Sequence, residues 1–271
     1  MKTLREKTVN NIKERRLRAL DGKLNCILSP FKRFRTDLVG IEKGTYITIT
    51  SYTKGGKSQF TSYTFIYEPL LYCYYNKPEV KLTYLYFPLE EAPERIMERF
   101  MSFLIHRLTK GKLRVSPSEL RSVDHSKPLS QEVLDIIDSK EFQDILAYFE
   151  EHVHFYSATN PTGIYKACKQ YAEENGIVHT KVGKYKDDFG VLQTTNVFDW
   201  YESNNSEEYI IPIIDTLNLI DTEMGMTQKQ SMDKMSMYCA KEFRNKYNMS
   251  PIVIQQQSLN ICIYKNFILN L

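Results

Sequence analysis

The stretch Ser51-Tyr52-Thr53-Lys54-Gly55-Gly56-Lys57-Ser58 constrains the fold more than any other. It joins the apolar run Tyr46-Ile47-Thr48-Ile49-Thr50 to a second apolar stretch from Phe60 to Leu71. Strand, glycine loop and helix in that order make the frame of a phosphate-binding loop. Two adjacent glycines let backbone N–H groups close around phosphate oxygens, and the following helix turns its positive end toward them. In such a loop Lys57 reaches the β- and γ-phosphates and the Ser58 hydroxyl binds Mg²⁺. Ser51, Tyr52, Thr53, Lys54, Gly55, Gly56, Lys57, Ser58 and Gln59 are therefore the candidate ATP-binding set. The pattern G-x-x-x-x-G-K-[ST] asks for glycine where this chain has Ser51. The competing reading is a plain glycine turn between strand and helix.

A chain of 271 residues can bury a sizeable core and suits one main α/β domain with appendages. Its 42% hydrophobic and 25% charged content is ordinary for a globular protein. No apolar run reaches the roughly 18 residues that a membrane helix requires, so no membrane partner is expected. Met1 to Arg5 leads into charged sequence without the apolar region of a secretion signal. Cys26, Cys73, Cys168, Cys239 and Cys262 are scattered and form no C-x-x-C pair, which predicts a reduced, cytoplasmic chain with neither a disulfide framework nor a zinc site.

The net charge of +3 is too small to imply a polyanionic partner, so local clustering decides. Residues 2–20 carry Lys2, Arg5, Lys7, Lys13, Arg15, Arg16 and Arg18 against Glu6 and Glu14, with Leu4, Val9, Ile12 and Leu17 near helical spacing. This reads as a basic amphipathic helix or arm, either packed on its own domain or gripping a neighbouring subunit or nucleic-acid phosphates. Turn signals at Asp21-Gly22 and Ser29-Pro30 follow it, which sets an arm and linker over residues 1–40 and the main domain over 41–271. Residues 178–208 interleave Lys181, Lys184 and Lys186 with Tyr185, Phe189 and Trp200. They read as an irregular surface insertion, or as a stretch that stacks and holds a single strand.

Lys81 to Phe87 reads as a buried strand, followed by Leu89-Glu90-Glu91 and a helix from about Pro93 to Leu108. Residues 110–130 are rich in turns, and Glu132 to Glu151 reads as one helix. The strand His152 to Tyr156 precedes a helix from Gly163 to Glu174. It would set His152 and His154 on one face, an ordinary polar face since no third metal ligand is near. Tyr209 to Asp215 is an apolar strand ending in a carboxylate, in which Pro212 would remove a ladder hydrogen bond. Ser231 to Tyr247 reads as a helix, and Pro251 to Ile254 as a last core strand leading to Gln255-Gln256-Gln257. Apolar strands alternating with helices predict an α/β fold whose mostly parallel central sheet is flanked by helices.

These elements fall in the order of an ATPase site. Lys57 and Ser58 hold phosphate and Mg²⁺, and Asp215 completes the metal's surroundings. Glu90, at a strand end, orients and deprotonates the attacking water, with Glu91 as the alternative. Gln257 reports the γ-phosphate to a neighbouring loop, with Gln255 and Gln256 as alternates.

Phe87-Pro88-Leu89-Glu90-Glu91, followed by Arg95 to Arg99, resembles the F-S-L-E-M segment and trailing helix arginine of DnaB-type replicative helicases. Ile213-Ile214-Asp215-Thr216-Leu217-Asn218-Leu219-Ile220 is similar to that family's I-I-D-Y-L-Q-L-I, and Pro251 to Gln257 to its P-V-I-A-L-S-Q. The segment from Asp21 to Cys26 through Gly40 to Gly44 looks like the family's entry into the ATPase core, and the family tolerates a non-glycine at the Ser51 position. The match spans roughly residues 24–260 and looks most like the divergent DnaB-like ATPases of tailed bacteriophages, which would place the chain in the host cytoplasm.

The resemblance implies a RecA-like P-loop ATPase core using ATP and Mg²⁺ in a hexameric ring, a homo-oligomer that moves along single-stranded DNA. It implies a DNA-facing loop over Asp221 to Gln230, including Lys229, and a primase or loader as partner. The family's primase-binding N-terminal domain has no counterpart here. After Gln257 the family continues through strands carrying a basic finger that reaches the neighbour's ATP, and the tail Ile261 to Leu271 does not resemble them. A truncated or frame-altered product with poor turnover is the expectation. Two other activities suit the same motifs: a recombinase or switch ATPase, and a nucleotide-binding assembly module without efficient turnover.

Overall fold

Alternation of side chains along extended strands settles which residues meet which helices. The computed structural model describes residues 3–186 and 189–257. The tail Ile261 to Leu271 lies outside them. The chain opens with α1 (Leu4–Leu20), capped by Thr3, whose hydroxyl accepts from the Glu6 N–H while Glu6 reaches back to the Thr3 N–H. Strands β1 (Ile27–Leu28) and β2 (Gly40–Ile41) pair antiparallel. Ile27 and Ile41, on either side of residue 40, share one core.

Strand β3 (Ile47–Ser51) leads through the glycine loop into one helical body: α2 (Lys57–Ser62), a wider π-type turn over Tyr63–Tyr67, and α3 (Glu68–Asn76). Next come β4 (Lys81–Pro88), α4 (Pro93–Leu108), a single turn α5 (Pro117–Leu120), α6 (Gln131–Ile137) and α7 (Lys140–His152). Strand β5 (Val153–Phe155) and α8 (Pro161–Glu174) precede the long pair β6 (Gly176–Lys186) and β7 (Leu192–Ser203). The remaining elements are β8 (Glu208–Asp215), α9 (Gln228–Met237), a second π-type turn over Tyr238–Arg244, α10 (Asn245–Tyr247) and β9 (Ile252–Gln256).

The central sheet is α/β and parallel at every pairing, in the order β3-β9-β8-β4-β5. Every residue of β8 is buried, as a strand covered on both faces requires. Tyr209, Ile211 and Ile213 face a cluster that includes Phe65, Leu70, Phe100, Leu104 and Phe149. Ile210 and Ile214 face the opposite cluster, with Ile164, Cys168, Met235 and Phe243. Pro212 sits in this central strand without breaking it. The Ile210 carbonyl accepts from Ser250 N–H at 2.9 Å, so the polar groups of residue 212 also face the β9 side, and the β8–β9 register begins only at Ile213.

Three expectations change. Residues 132–151 form two helices rather than one, because Ser139 caps α7 and its hydroxyl accepts from Phe142 N–H. His152 closes α7 instead of opening a strand, and its Nδ1 donates to the Leu82 carbonyl at 2.6 Å, so it shares no strand face with His154. Residues 178–208 are not irregular, since most of them form the β6–β7 hairpin. In that hairpin Lys181 pairs with Asp199 at 2.7 Å, and His179 stacks on Trp200 at 4.0 Å. Helix α1 forms as expected, yet none of its residues is buried, and Arg15–Glu42 and Arg18–Glu207 ion pairs, both at 2.7 Å, tie only its last half to the body.

Among the described residues, no helix is long and apolar enough to cross a membrane, and Cys26, Cys73, Cys168 and Cys239 are free thiols. Phe100 is fully buried, with its ring 4.4 Å from Phe149 and 5.0 Å from Tyr67. Truncation to alanine leaves a cavity between the sheet and its helices, so Phe100→Ala should lower the unfolding free energy by about 3–5 kcal/mol, read from urea denaturation.

Candidate functional site

The loops that follow β3, β4 and β8 gather with the end of β9 at one edge of the sheet, because parallel strands all end there. Ser51 closes β3 opposite Gln256 of β9. The chain then folds back, and Gly55 N–H donates to the Tyr52 carbonyl at 3.0 Å. A Cβ on Gly55 would collide with Ser51 Oγ and stand 3.0 Å from the Tyr52 carbonyl oxygen, so glycine is required there by close approach. The left-handed residues of the loop are Lys54, at φ 61°, and Gly56, at φ 74°. Ser51 lies in extended strand, so a side chain at that position carries no backbone penalty. Gly56 begins α2 in open space, which leaves the first-turn N–H groups of the helix accessible to an anion.

Asp215 ends β8 in register with Pro88 of β4 and Ile254 of β9. Ser58 Oγ donates to its Oδ1 at 3.2 Å, and Tyr86 OH donates to its Oδ2 at 2.8 Å. Complete burial, and then the Asp215 charge, push the Tyr86 phenol well up from its ordinary range, so it stays a donor. The Asp215 carbonyl accepts from the N–H groups of Leu89, at 2.6 Å, and Glu90, at 3.2 Å. This locks the β4–α4 turn against the end of β8. Thr216 Oγ1 lies 3.0 Å from Asp215 Oδ1 and 3.1 Å from Glu90 Oε2. Glu91 points elsewhere and forms an ion pair with Arg99 of α4. The Asp215–Thr216 peptide bond is cis.

Ser58, Asp215 and Glu90 are therefore brought together, with Lys57 adjacent to Ser58 at the first position of α2. One hydroxyl and one carboxylate do not enclose a metal, and among the described residues no group of three or more His, Cys, Asp or Glu side chains could hold one. That sparse oxygen set fits Mg²⁺, which keeps waters and takes phosphate oxygens for most of its shell. The open glycine loop beside it fits the phosphates of ATP.

The glutamines divide differently from expectation. Gln257 N–H donates to the Ser51 carbonyl at 3.0 Å and its amide to Thr50 Oγ1 at 3.0 Å, so it braces β3. The side chain that reaches the loop itself is Gln256, whose amide donates to Thr53 Oγ1. Gln255 sits in register opposite Thr50. Asn218 clamps the Gln256 backbone from both sides, accepting its N–H at 2.6 Å and donating to its carbonyl at 3.2 Å. Tyr86, Thr216 and Asn218 escaped the sequence reading. Thr216 and Asn218 left a signal there only as members of the segment Ile213 to Ile220, one and three positions beyond Asp215.

Of the expected loop Asp221 to Gln230, Gln228, Lys229 and Gln230 form the first turn of α9, capped by Thr227. The loop proper is pinned by Glu223, which accepts from Thr162 N–H at 2.7 Å and forms an ion pair with Lys234. The Lys234 hydrogen bond, foremost, and those of Thr162 pull the Glu223 carboxyl down to about 2.

A DnaB-like replicative helicase, solved for its interactions with primase, superposes on this chain with a TM-score of 0.56 at 11% identity, over 97% of this chain and 50% of that one. The chain thus spans half the length of that protein. The likeness shows a shared fold, a parallel-sheet core of RecA type. No family model matches the sequence, and no curated protein matches it.

Two outcomes follow from the loop and the clamp. Gly55→Ala should lower the melting temperature by the equivalent of roughly 1–3 kcal/mol, and Ser51→Gly in the same chain should recover part of it by removing the hydroxyl from the collision. Because Glu223 titrates near 2 when folded, against an ordinary 4.5, its stabilisation is full above about pH 4.5 and lost as pH falls toward 2. The melting-temperature advantage of the wild type over Glu223→Gln should be constant above pH 5 and shrink through that window.

Proposed function

We propose that this chain is a helicase-like ATPase that couples ATP hydrolysis to movement on single-stranded DNA. The observation that carries this is the convergence of Ser58, Asp215 and Glu90 beside an open glycine loop at the strand-end edge of a RecA-type sheet. In this reading residues Ser51 to Gln59 hold the ATP phosphates, with the Lys57 ammonium on the β- and γ-phosphates. Ser58 and Asp215 would hold Mg²⁺, whose charge neutralises the phosphates as the bond to the leaving group breaks. Glu90 orients a water and accepts its proton, while Glu91 stays committed to Arg99. Gln256 and Gln257, at the end of β9, relate the occupancy of the loop to β3 and to Asn218.

The same reading takes as partners a homo-oligomeric, hexameric ring, single-stranded DNA, and a primase or loader; the primase is supported by the DnaB-like helicase of similar fold, which was solved for its interactions with primase. Residues 1–40 serve as the arm and linker of a 41–271 ATPase domain. The exposed apolar side chains of α1, including Leu4, Ile12 and Leu17, support a contact beyond its own chain.

Steady-state phosphate release with and without single-stranded DNA tests this. Turnover should rise when DNA is added; turnover indifferent to DNA contradicts helicase action, and strand exchange on a filament favours a recombinase. Lys57→Ala should weaken ATP binding at least tenfold, whereas Glu90→Gln should keep ATP and lower kcat by roughly 10²–10⁴-fold. Wild-type turnover from Glu90→Gln removes that residue from the chemistry.

A further inference from the structure

We infer that Thr216 is the positioning residue for Glu90, the hydrogen bond of its one hydroxyl being open to two carboxylates and turning to Glu90 when Asp215 engages a cation. The inference rests on the reading of Glu90 as the base. Thr216 is 1% exposed, so its hydroxyl is shielded from bulk solvent. Oγ1 stands almost equally far from Asp215 Oδ1, at 3.0 Å, and from Glu90 Oε2, at 3.1 Å. Ionised carboxylates only accept, and a hydroxyl carries a single proton, so Thr216 can satisfy one of them at a time.

The two carboxylates do not depend on it equally. Asp215 has two other side-chain donors, Ser58 at 3.2 Å and Tyr86 at 2.8 Å. The Glu90 carboxylate has, among the described residues, Thr216 alone. Glu90 is also exposed, so an untethered side chain would spread over several rotamers. Its backbone is already fixed by the N–H bond to the Asp215 carbonyl at 3.2 Å, and the hydroxyl selects the rotamer that leans toward Thr216, beside Asp215. When Asp215 Oδ1 turns its lone pairs to a cation, the Thr216 proton has one acceptor left. Loading of the site would thereby orient the base through the Thr216 hydroxyl.

Thr216→Val keeps the shape and removes the hydroxyl, and Thr216→Ser keeps the hydroxyl. Affinity for a non-hydrolysable ATP analogue with Mg²⁺ should stay within about threefold in both, while kcat falls roughly 10–100-fold in Thr216→Val and returns to within about threefold in Thr216→Ser. Added to Glu90→Ala, Thr216→Val should cause no further loss. Full kcat in Thr216→Val alongside an inactive Glu90→Ala overturns this inference alone; full kcat in Glu90→Ala overturns the assignment of the base. Loss of analogue binding in step with kcat overturns the positioning role in favour of a structural one. Urea unfolding midpoints of the same proteins read the contact without turnover: Thr216→Val should shift the midpoint more in the wild type than in Glu90→Ala, and equal shifts overturn the inference.

Discussion

Asp215 stands where a buried apolar strand meets a polar edge, and both its main chain and its side chain are committed. Its carbonyl takes the N–H groups of Leu89 and Glu90, its carboxylate takes the hydroxyls of Ser58 and Tyr86, and its neighbour Thr216 reaches Glu90. The β4–α4 turn, the start of α2 and the end of β8 are thereby held to one residue. A carboxylate 5% exposed is tolerable only with such donors, and the same donors hold it against Ser58 at the start of α2.

The rest of the fold supplies rigidity to that point. β8 is buried along its whole length and flanked by β4 and β9, so the position of Asp215 is set by ladders on both sides and by two apolar clusters. Among the described residues β3 is an edge strand that pairs with β9 alone, so the glycine loop hangs at the margin of the sheet. Gln256 and Asn218 join the two regions, since one contacts Thr53 and the other follows Asp215 closely in sequence.

Much of this was legible in the sequence because burial on both faces writes a strand as an unbroken apolar run: β4, β8 and β9 were found that way, and the glycine loop by its order between strand and helix. The break between α6 and α7 was hidden because Ser139 is a cap inside a stretch of uniformly helical composition. The β6–β7 hairpin was hidden because much of it is exposed, so it shows no hydrophobic alternation of period two. The partners of Asp215 were only half legible. Ser58 follows from the loop pattern, but Tyr86 and Thr216 earn their places by cross-strand register and hydroxyl geometry, which a linear sequence does not carry. The same holds for Gln256 against Gln257, adjacent residues whose side chains point to opposite faces of one strand end.

The central claim is that the loop over residues 51–59 and the Ser58–Asp215 pair form one site for a nucleotide and its cation. Calorimetric binding of ATP, in Mg²⁺ and then in excess chelator, tests it most directly when repeated on Asp215→Asn. The account predicts that the wild type binds more tightly with Mg²⁺ and that Asp215→Asn loses this increment while keeping its Mg²⁺-free affinity. Equal affinity in both conditions for the wild type, or an undiminished Mg²⁺ increment in Asp215→Asn, would contradict it.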